Sequence, residues 1–361
     1  MLEIGVVGAG TYGRVHLDAF KQRERLSGDM RLAAFAESNG EVRRNAERDF
    51  GVRGYSCLTE MLGKEKLDGV TVATPDHLHH RLVVECLESG RHVFVEKPLS
   101  TDVGEAREMA ELAEGRGLLL QVDFHKRFDP YHVDLKLRLR DGQLGRLQYG
   151  YCWMEDVLRI GTDVIGQSHW GNSGSPAWFL GIHMIDLTCW LMDFPEPARV
   201  YATGAKGKLA SLGRDIYDSI KATVTYANGV AVTYDTAVVL PNSHEAVVRQ
   251  GVKMVGSEGI LVVDSQYRGA RGCTTAGGME TPNCGGFGRK IAKSGEVVKS
   301  GYINDSLVDF VDNLAELRKG TPLPALTGRY ASAREGLIST RIGVAIHQSL
   351  AGGNLVNIAE L

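Results

Sequence analysis

Cysteine is scarce and scattered: six residues (Cys57, Cys86, Cys152, Cys189, Cys273 and Cys284) in a chain of 361, with no Cys-x-x-Cys pair. That excludes a disulfide-built fold and a zinc knuckle, and leads us to expect reduced, mostly buried thiols and no metal site. A surplus of one charge sign is also missing. Forty-one Lys+Arg against 44 Asp+Glu leave a net charge of −3, which favours neither nucleic acid nor an anionic membrane as partner. No apolar run approaches the ~18 residues that a membrane span needs. The first twenty residues hold a glycine-rich turn and Glu3 instead of a basic and then apolar leader, so a cytoplasmic protein is expected. What the chain does have is 43% apolar and 24% charged residues, an ordinary globular composition that excludes wholesale disorder. At about 150 residues per domain, its length implies two domains.

The first 120 residues alternate short apolar runs with amphipathic stretches. Strands are expected at 2–7, 32–36, 69–73, 93–95 and 118–122, with helices at 12–23, 40–49, 59–62, 79–88 and 101–115. Unbroken apolar runs separated by helices mark a parallel sheet covered on both faces, hence a doubly wound α/β domain over residues 1–123. Beyond Phe128 the texture changes. A helix at 130–140 precedes alternating runs at 147–154, 199–205, 220–226, 230–240, 251–255 and 261–264, with turns such as Asn228-Gly229 between them. Alternation with hairpin turns implies an open, mostly antiparallel sheet in an α+β domain over 124–361. Helices are expected at 177–191, 304–318 and 330–350, the last free to pack back on the first domain. A sheet with helices on one face leaves the other needing a partner, so a homodimer or homotetramer is expected. Residues 156–174 and 269–300 read as long irregular loops, a length usually reserved for function or disorder.

Gly8-Ala9-Gly10-Thr11-Tyr12-Gly13 follows the first strand and opens the first helix. Gly8 permits the tight turn, Gly10 lets the backbone approach a pyrophosphate, and Gly13 lets helix and strand pack closely. The helix start, at Thr11 and Tyr12, offers N–H groups and a positive dipole end to phosphate. Glu37 ends the second strand, 24 residues past Gly13. A carboxylate there hydrogen-bonds the adenosine ribose hydroxyls and repels a 2′-phosphate, which favours NAD; Arg43 and Arg44 nearby leave NADP possible. Thr74 and Pro75 end another strand, beside Asp76, His77, His79 and His80. Three histidines there invite a metal reading, but adjacent His79 and His80 point to different sides of a starting helix, so cofactor contact or solvation is the better reading. Val95-Glu96-Lys97-Pro98 ends the next strand. Proline keeps Lys97 out of helical geometry, and a lysine beside an anionic cofactor can exchange a proton. A surface lysine paired with Glu96 is the alternative.

The glycine fingerprint, Ala73-Thr74-Pro75-Asp76-His77-x-x-His80, Glu96-Lys97-Pro98, Phe124-x-x-Arg127-Phe128-x-Pro130, Gly181-Ile182-His183-x-x-Asp186 and Arg334-Glu335-Gly336 together resemble the Gfo/Idh/MocA oxidoreductases, over nearly the whole chain and in order. The resemblance implies a Rossmann domain, a second domain whose open sheet supports dimers or tetramers, and NAD(P)-dependent chemistry on sugars or cyclic polyols. It also implies that Lys97 handles the proton and that His183 hydrogen-bonds or relays on the substrate side. One departure stands out: many members carry an aspartate four residues before the histidine, and here that position is Phe179. Asp156 and Asp163 are candidate replacements, and Trp178 with Phe179 could instead wall a sugar ring or the nicotinamide. His125 stands where the family often has asparagine and is a candidate substrate contact, as is Tyr302. For Trp153, Trp170, Trp178 and Trp190 the core or an interface is the commoner fate. Asp186 reads as capping, structural or adjacent to His183, and Arg127 as a brace. The expected function is hydride transfer between NAD(P) and a secondary alcohol of a sugar, glycoside or cyclitol. Glycoside cleavage through transient oxidation is the alternative, and a cofactor-bound regulatory protein without turnover is a third reading.

Overall fold

The computed structural model describes residues 1–165 and 175–361; Trp170 and the rest of 166–174 lie outside the described residues. The chain forms two compact units, 1–125 with 286–337 and 126–285 with 338–361. The first unit is therefore discontinuous, a correction to the expected division at residue 123.

In the first unit β1 (Leu2–Val7), α1 (Thr11–Ser27), β2 (Met30–Ala36), α2 (Gly40–Phe50), β3 (Arg53–Tyr55), α3 (Leu58–Lys64), β4 (Gly69–Val72), α4 (His79–Glu88), β5 (His92–Val95), α5 (Val103–Arg116) and β6 (Leu120–Val122) alternate along the chain. The six strands form one all-parallel sheet in the order β3-β2-β1-β4-β5-β6, the doubly wound arrangement of two mononucleotide-binding halves. Its short edge strand β3 was not legible in the sequence. Asn39 caps α2 by accepting from the amides of Glu41 and Val42, and Asp102 caps α5 by accepting from Glu105.

In the second unit α6 (Pro130–Arg140) is capped by Asp129, with proline at its first position. Then come β7 (Leu147–Val157), α7 (Ile182–Leu191), β8 (Pro197–Ala205), the one-turn α8 (Lys208–Ser211), β9 (Ser219–Tyr226), β10 (Ala231–Leu240), β11 (Val248–Gly256) and β12 (Ile260–Asp264). With a late strand considered below, they form a seven-stranded sheet whose neighbours are antiparallel except β7 and β10. One face is the core: Cys152, Met154, Val232, Tyr234, Val252 and Met254 pack with Met184, Ile185 and Leu187 of α7. Side chains of this kind contribute roughly 1.5–3 kcal/mol each when fully buried. The opposite face carries Tyr149, Tyr151, Trp153, Tyr201, Ile260 and Val262, none of them buried.

Residues 269–300 are not an irregular loop. They form two hairpins, β13 (Gly272–Thr274) with β14 (Gly278–Glu280) and β15 (Gly288–Ile291) with β16 (Val297–Ser300). Likewise Asp156 belongs to β7, and Ile160–Ile165 is a wide helical turn. α9 (Tyr302–Arg318), α10 (Ala333–Gly352) and β17 (Val356–Asn357, the seventh strand) end the chain. α9 joins the first unit because Leu307, Phe310, Val311 and Leu314 enter the core of β1 and β2. A side chain at Gly69 would meet Leu314 at 2.7 Å and Phe310 at 2.9 Å, so this glycine lets α9 lie close on β4. Three cysteines are exposed (Cys57, Cys273, Cys284), where mostly buried thiols were expected; the other three are buried. Among the described residues no helix is long and apolar enough to cross a membrane.

Candidate active site

The glycine turn has the geometry a dinucleotide needs. Gly8 holds φ at +92°, and a Cβ there would stand 2.3 Å from the Ala73 carbonyl oxygen. A Cβ on Gly13 would meet the Gly8 carbonyl oxygen at 2.1 Å. At Gly10 a Cβ would meet nothing within 4 Å, which is open space where a diphosphate backbone could approach. Gly10 caps α1 without a side-chain hydrogen bond, and no acid sits in that first turn, so the helix start at Thr11 and Tyr12 keeps its positive dipole end without a neutralising side chain. Thr74 Oγ1, next to Gly8, is buried without a hydrogen-bond partner, as a group awaiting a ligand would be. These residues fit a dinucleotide.

Glu37 sits at the end of β2 as expected and braces the turn, accepting from Ala9 N at 2.9 Å and Asn39 N at 2.8 Å. Arg43 donates to the Glu37 carbonyl at 2.7 Å. Both arginine heads therefore lie at the start of α2, near Gly40. The histidines after β4 have separate fates. His79 is buried, its ring between the carbonyls of Pro98 (2.8 Å) and Thr74 (3.0 Å), where it ties the β4 and β5 loops together; burial pulls its pKa down. His80 pairs with Glu108 at 2.9 Å, and His77 is exposed. Pro75 precedes the turn that starts α4.

Lys97 is half-buried at the carboxyl end of β5, joined to Pro98 by a cis peptide bond. Glu96 does not accompany it outward. Its carboxyl is buried against His16 Nε2 at 3.0 Å and against Asp123. His16 Nδ1 meets Thr71 Oγ1 at 3.1 Å, and Asp123 accepts from Ser306 at 2.6 Å and lies 3.3 Å from His125 Nδ1. Burial, with Asp123 beside it, raises the Glu96 pKa well above the carboxylate range. Burial lowers His16 to about 4. For Asp123 burial pushes up, but His125, Glu96 and Ser306 outweigh it and hold it low. One protonation pattern satisfies every contact: Glu96 protonated towards an ionised Asp123, and a neutral His16 donating to Glu96 and accepting from Thr71. Among the described residues His16, Glu96 and Asp123 also form a group compact enough for a metal, with ligand atoms within 4.8 Å. Mutual hydrogen bonds already engage those atoms. His16 and Asp123 were not singled out in the sequence; their signal was two polar residues at positions whose neighbours are apolar.

His125 and Tyr302 come together in the first unit, their rings stacked with centroids 5.6 Å apart. In the second unit the expected helix over 177–191 starts as a wide turn, Ala177–Gly181, before α7 begins. Such turns cluster at functional sites. His183 is buried near the start of α7. Phe179 borders the core. The indole of Trp178 stacks on His347 of α10 at 5.2 Å, opposite Gly343, where any side chain would strike it. Asp156 is buried at the end of β7, on the same face as Cys152 and Met154, which is the face covered by α7. Asp163 is exposed and bonded by Thr162. Arg127 holds Asp186 through both oxygens, at 2.9 and 2.5 Å, and lies over Phe194, so this pair braces α7.

A family model described as an oxidoreductase family with an NAD-binding Rossmann fold matches residues 2–124, and the GFO/IDH/MocA C-terminal domain model matches 132–262. The chain is 29% identical to an inositol 2-dehydrogenase of Rubrobacter xylanophilus over 73% of its length and 71% of that protein. It is 27% identical to a D-glucoside 3-dehydrogenase of Escherichia coli, over 66% of this chain and 71% of the relative. Its fold matches the structure of scyllo-inositol dehydrogenase from Lactobacillus casei with bound NAD(H) and scyllo-inositol, at a TM-score of 0.80 over 99% of both chains and 17% identity.

Proposed function

The chain belongs to the Gfo/Idh/MocA oxidoreductase family with its NAD-binding Rossmann fold, and from that premise we propose that it oxidises a secondary alcohol of a sugar, glycoside or cyclitol with NAD. The observation that carries this reading is Lys97 at the carboxyl end of β5, on the sheet edge that also bears the open glycine turn and Thr74. Gly8, Gly10, Thr11, Tyr12, Gly13 and Thr74 would hold the cofactor, and Glu37 at the end of β2 favours NAD over NADP. Bound NAD supplies the hydride acceptor. Lys97 takes the hydroxyl proton in oxidation and returns it in reduction, and the role the family resemblance implies for His183 is a hydrogen bond to the substrate. The chain's own contribution is orientation and matched proton transfer. The uncovered aromatic face of the second sheet supports assembly as a homodimer or homotetramer.

An NAD(H)-coupled screen of free sugars, glycosides, nucleotide sugars and inositols tests the reading. With the best substrate, Lys97→Met is expected to lower kcat about 10²- to 10⁴-fold while NAD affinity stays within about threefold. Near-normal turnover in the variant removes Lys97 from the mechanism. Net NADH accumulation marks dehydrogenation, whereas sugar release without it marks cleavage by transient oxidation.

A further inference from the structure

Val95 stands opposite Val122 in the register of β5 and β6, and Asp123 N donates to the Val95 carbonyl at 2.8 Å. Glu96 and Asp123 therefore follow side by side past the ends of the two strands, and both are buried. A carboxyl oxygen of each and a ring nitrogen of His16 lie within 4.8 Å of one another. Two ionised carboxylates do not share so small a dry site, because each penalises the charge of the other. His16 brings no compensating cation. Its Nε2 lies 3.0 Å from Glu96 and its Nδ1 3.1 Å from Thr71 Oγ1, and burial lowers its pKa to about 4, so the ring is neutral. Ser306 donates to one oxygen of Asp123 at 2.6 Å, and His125 Nδ1 faces the other at 3.3 Å. The charge thus rests on Asp123 and the proton on Glu96.

Lys97 follows Glu96 directly, and its charge acts on that carboxyl. A lysine that takes a hydroxyl proton must begin as the neutral amine, and every anion near it opposes that state. We propose that Glu96 and Asp123 share one proton so that a single negative charge, not two, stands beside Lys97, and that this charge sets the pH at which Lys97 exchanges the substrate proton. Both acids act through Lys97, as positioning residues. This rests on the dehydrogenase reading and deepens it. The shared proton stays in place; the one that moves in catalysis runs between the substrate hydroxyl and Lys97. The titratable groups facing the pair are His16 of α1, His125 after β6 and Lys97 on its own segment. Thr71 of β4 and Ser306 of α9 add neutral hydrogen bonds. Lys97 also acts on His79 of α4, itself beside Asp76, and burial draws that ring towards its neutral form.

Two readouts test the proposal. Infrared spectroscopy of NAD-loaded protein with isotope-labelled glutamate carboxyls reads the proton directly. At pH 7 the wild type should show a protonated glutamic acid carbonyl band that is lost in Glu96→Gln; a wild type without it overturns the proposal. The pH profile of kcat/KM for oxidation, at saturating NAD with the best substrate of the screen, reads Lys97. Glu96→Gln keeps the shape and neutrality of the protonated acid, so its midpoint should stay within about 0.3 pH units of wild type. In the double variant Glu96→Gln with Asp123→Asn no charge is left, and the midpoint should fall by about one to two pH units. That is the effect of a unit charge several ångströms away at an effective dielectric constant of about 20. Asp123→Asn alone should move it less, because Glu96 then ionises in its place and the infrared band weakens. A merely structural role would change rates and leave the midpoint where it is. A double variant with the wild-type midpoint, or a Glu96→Gln midpoint that falls as far as the double, overturns the proposal. If the double variant does not fold, the wild-type band and the Glu96→Gln midpoint still decide. An unmoved midpoint with Lys97→Met inactive sinks this inference alone; an active Lys97→Met sinks the dehydrogenase reading and this inference with it.

Discussion

At the scale of single residues, the glycine turn makes a contrast that stability and binding can separate. A Cβ on Gly13 would overlap the Gly8 carbonyl oxygen at 2.1 Å, and backbone at that point has nowhere to go. Gly13→Ala should therefore lower folding stability by about 2–4 kcal/mol. Gly10 has ordinary extended φ and open space at its Cβ position. Gly10→Ala should leave unfolding within ~0.5 kcal/mol of wild type yet weaken NAD binding about tenfold or more, because the methyl occupies the approach that the glycine keeps open. Urea titration and NAD calorimetry on both variants check this; a Gly10→Ala protein with normal NAD affinity would remove the pyrophosphate assignment. These roles were legible because the spacing of glycines is itself a statement about backbone approach. The cluster of His16, Glu96 and Asp123 was not, because its members stand 80 and 27 residues apart and meet only when β5 and β6 lie side by side and α1 brings His16 to Glu96.

Among the elements, α9 carries a pH-dependent load. Asp309 faces the first unit's sheet, accepting from Gln121 at 3.0 Å and Asn313 at 2.9 Å. Burial raises its pKa to about 6, against the pull of those two donors. An unfolded aspartate titrates near 3.9, so between about pH 4 and 6 the native chain holds the extra proton. Its stabilising share is thus complete below about pH 4 and is lost as pH rises through 6, on the order of 3 kcal/mol. Asp309→Asn keeps an acceptor without the charge. It should gain about 1–3 kcal/mol at pH 7 and nothing at pH 4, by urea unfolding at both pH values; equal gains at the two would refute the assignment. His16 and His132 act in the opposite direction. Burial lowers both to about 4, whereas the unfolded imidazole protonates near 6.5, so each makes the fold less stable as pH falls from about 6.5 to 4. The elements themselves were readable where the pattern was long: the apolar runs of β1, β2 and β4 and the alternation of β9 and β10. The hairpins of 269–300 were not, since exposed strands such as β14 have no buried face to impose alternation. Neither was the wide turn over Ala177–Gly181, which shares its composition with a regular helix.

For the whole molecule, the uncovered face of the second sheet sets the expectation. Tyr149 (44% exposed) and Ile260 (57%) bracket a surface where Tyr151 stacks on Trp153 and the Lys253 and Arg249 cations lie over these rings. Tyrosine, tryptophan and arginine on one flat face are what interface centres are enriched in. Light scattering is expected to show a dimer or tetramer, and Tyr149→Glu with Ile260→Glu to give a smaller species with unchanged circular dichroism. A monomeric wild type removes the proposal.

By itself the sequence determined the doubly wound first domain, the mostly antiparallel second sheet, the glycine turn and the lysine that ends β5, because these depend on periodicity and spacing within a few residues. Only the tertiary structure decided that α9 completes the first unit, that Trp178 is packed against α10, that Arg127 and Asp186 hold each other, and that His125 stands on an aspartate. The first three turn on which distant side chains share a low-dielectric interior and the last on the turn that follows β6, and local pattern carries no information about either.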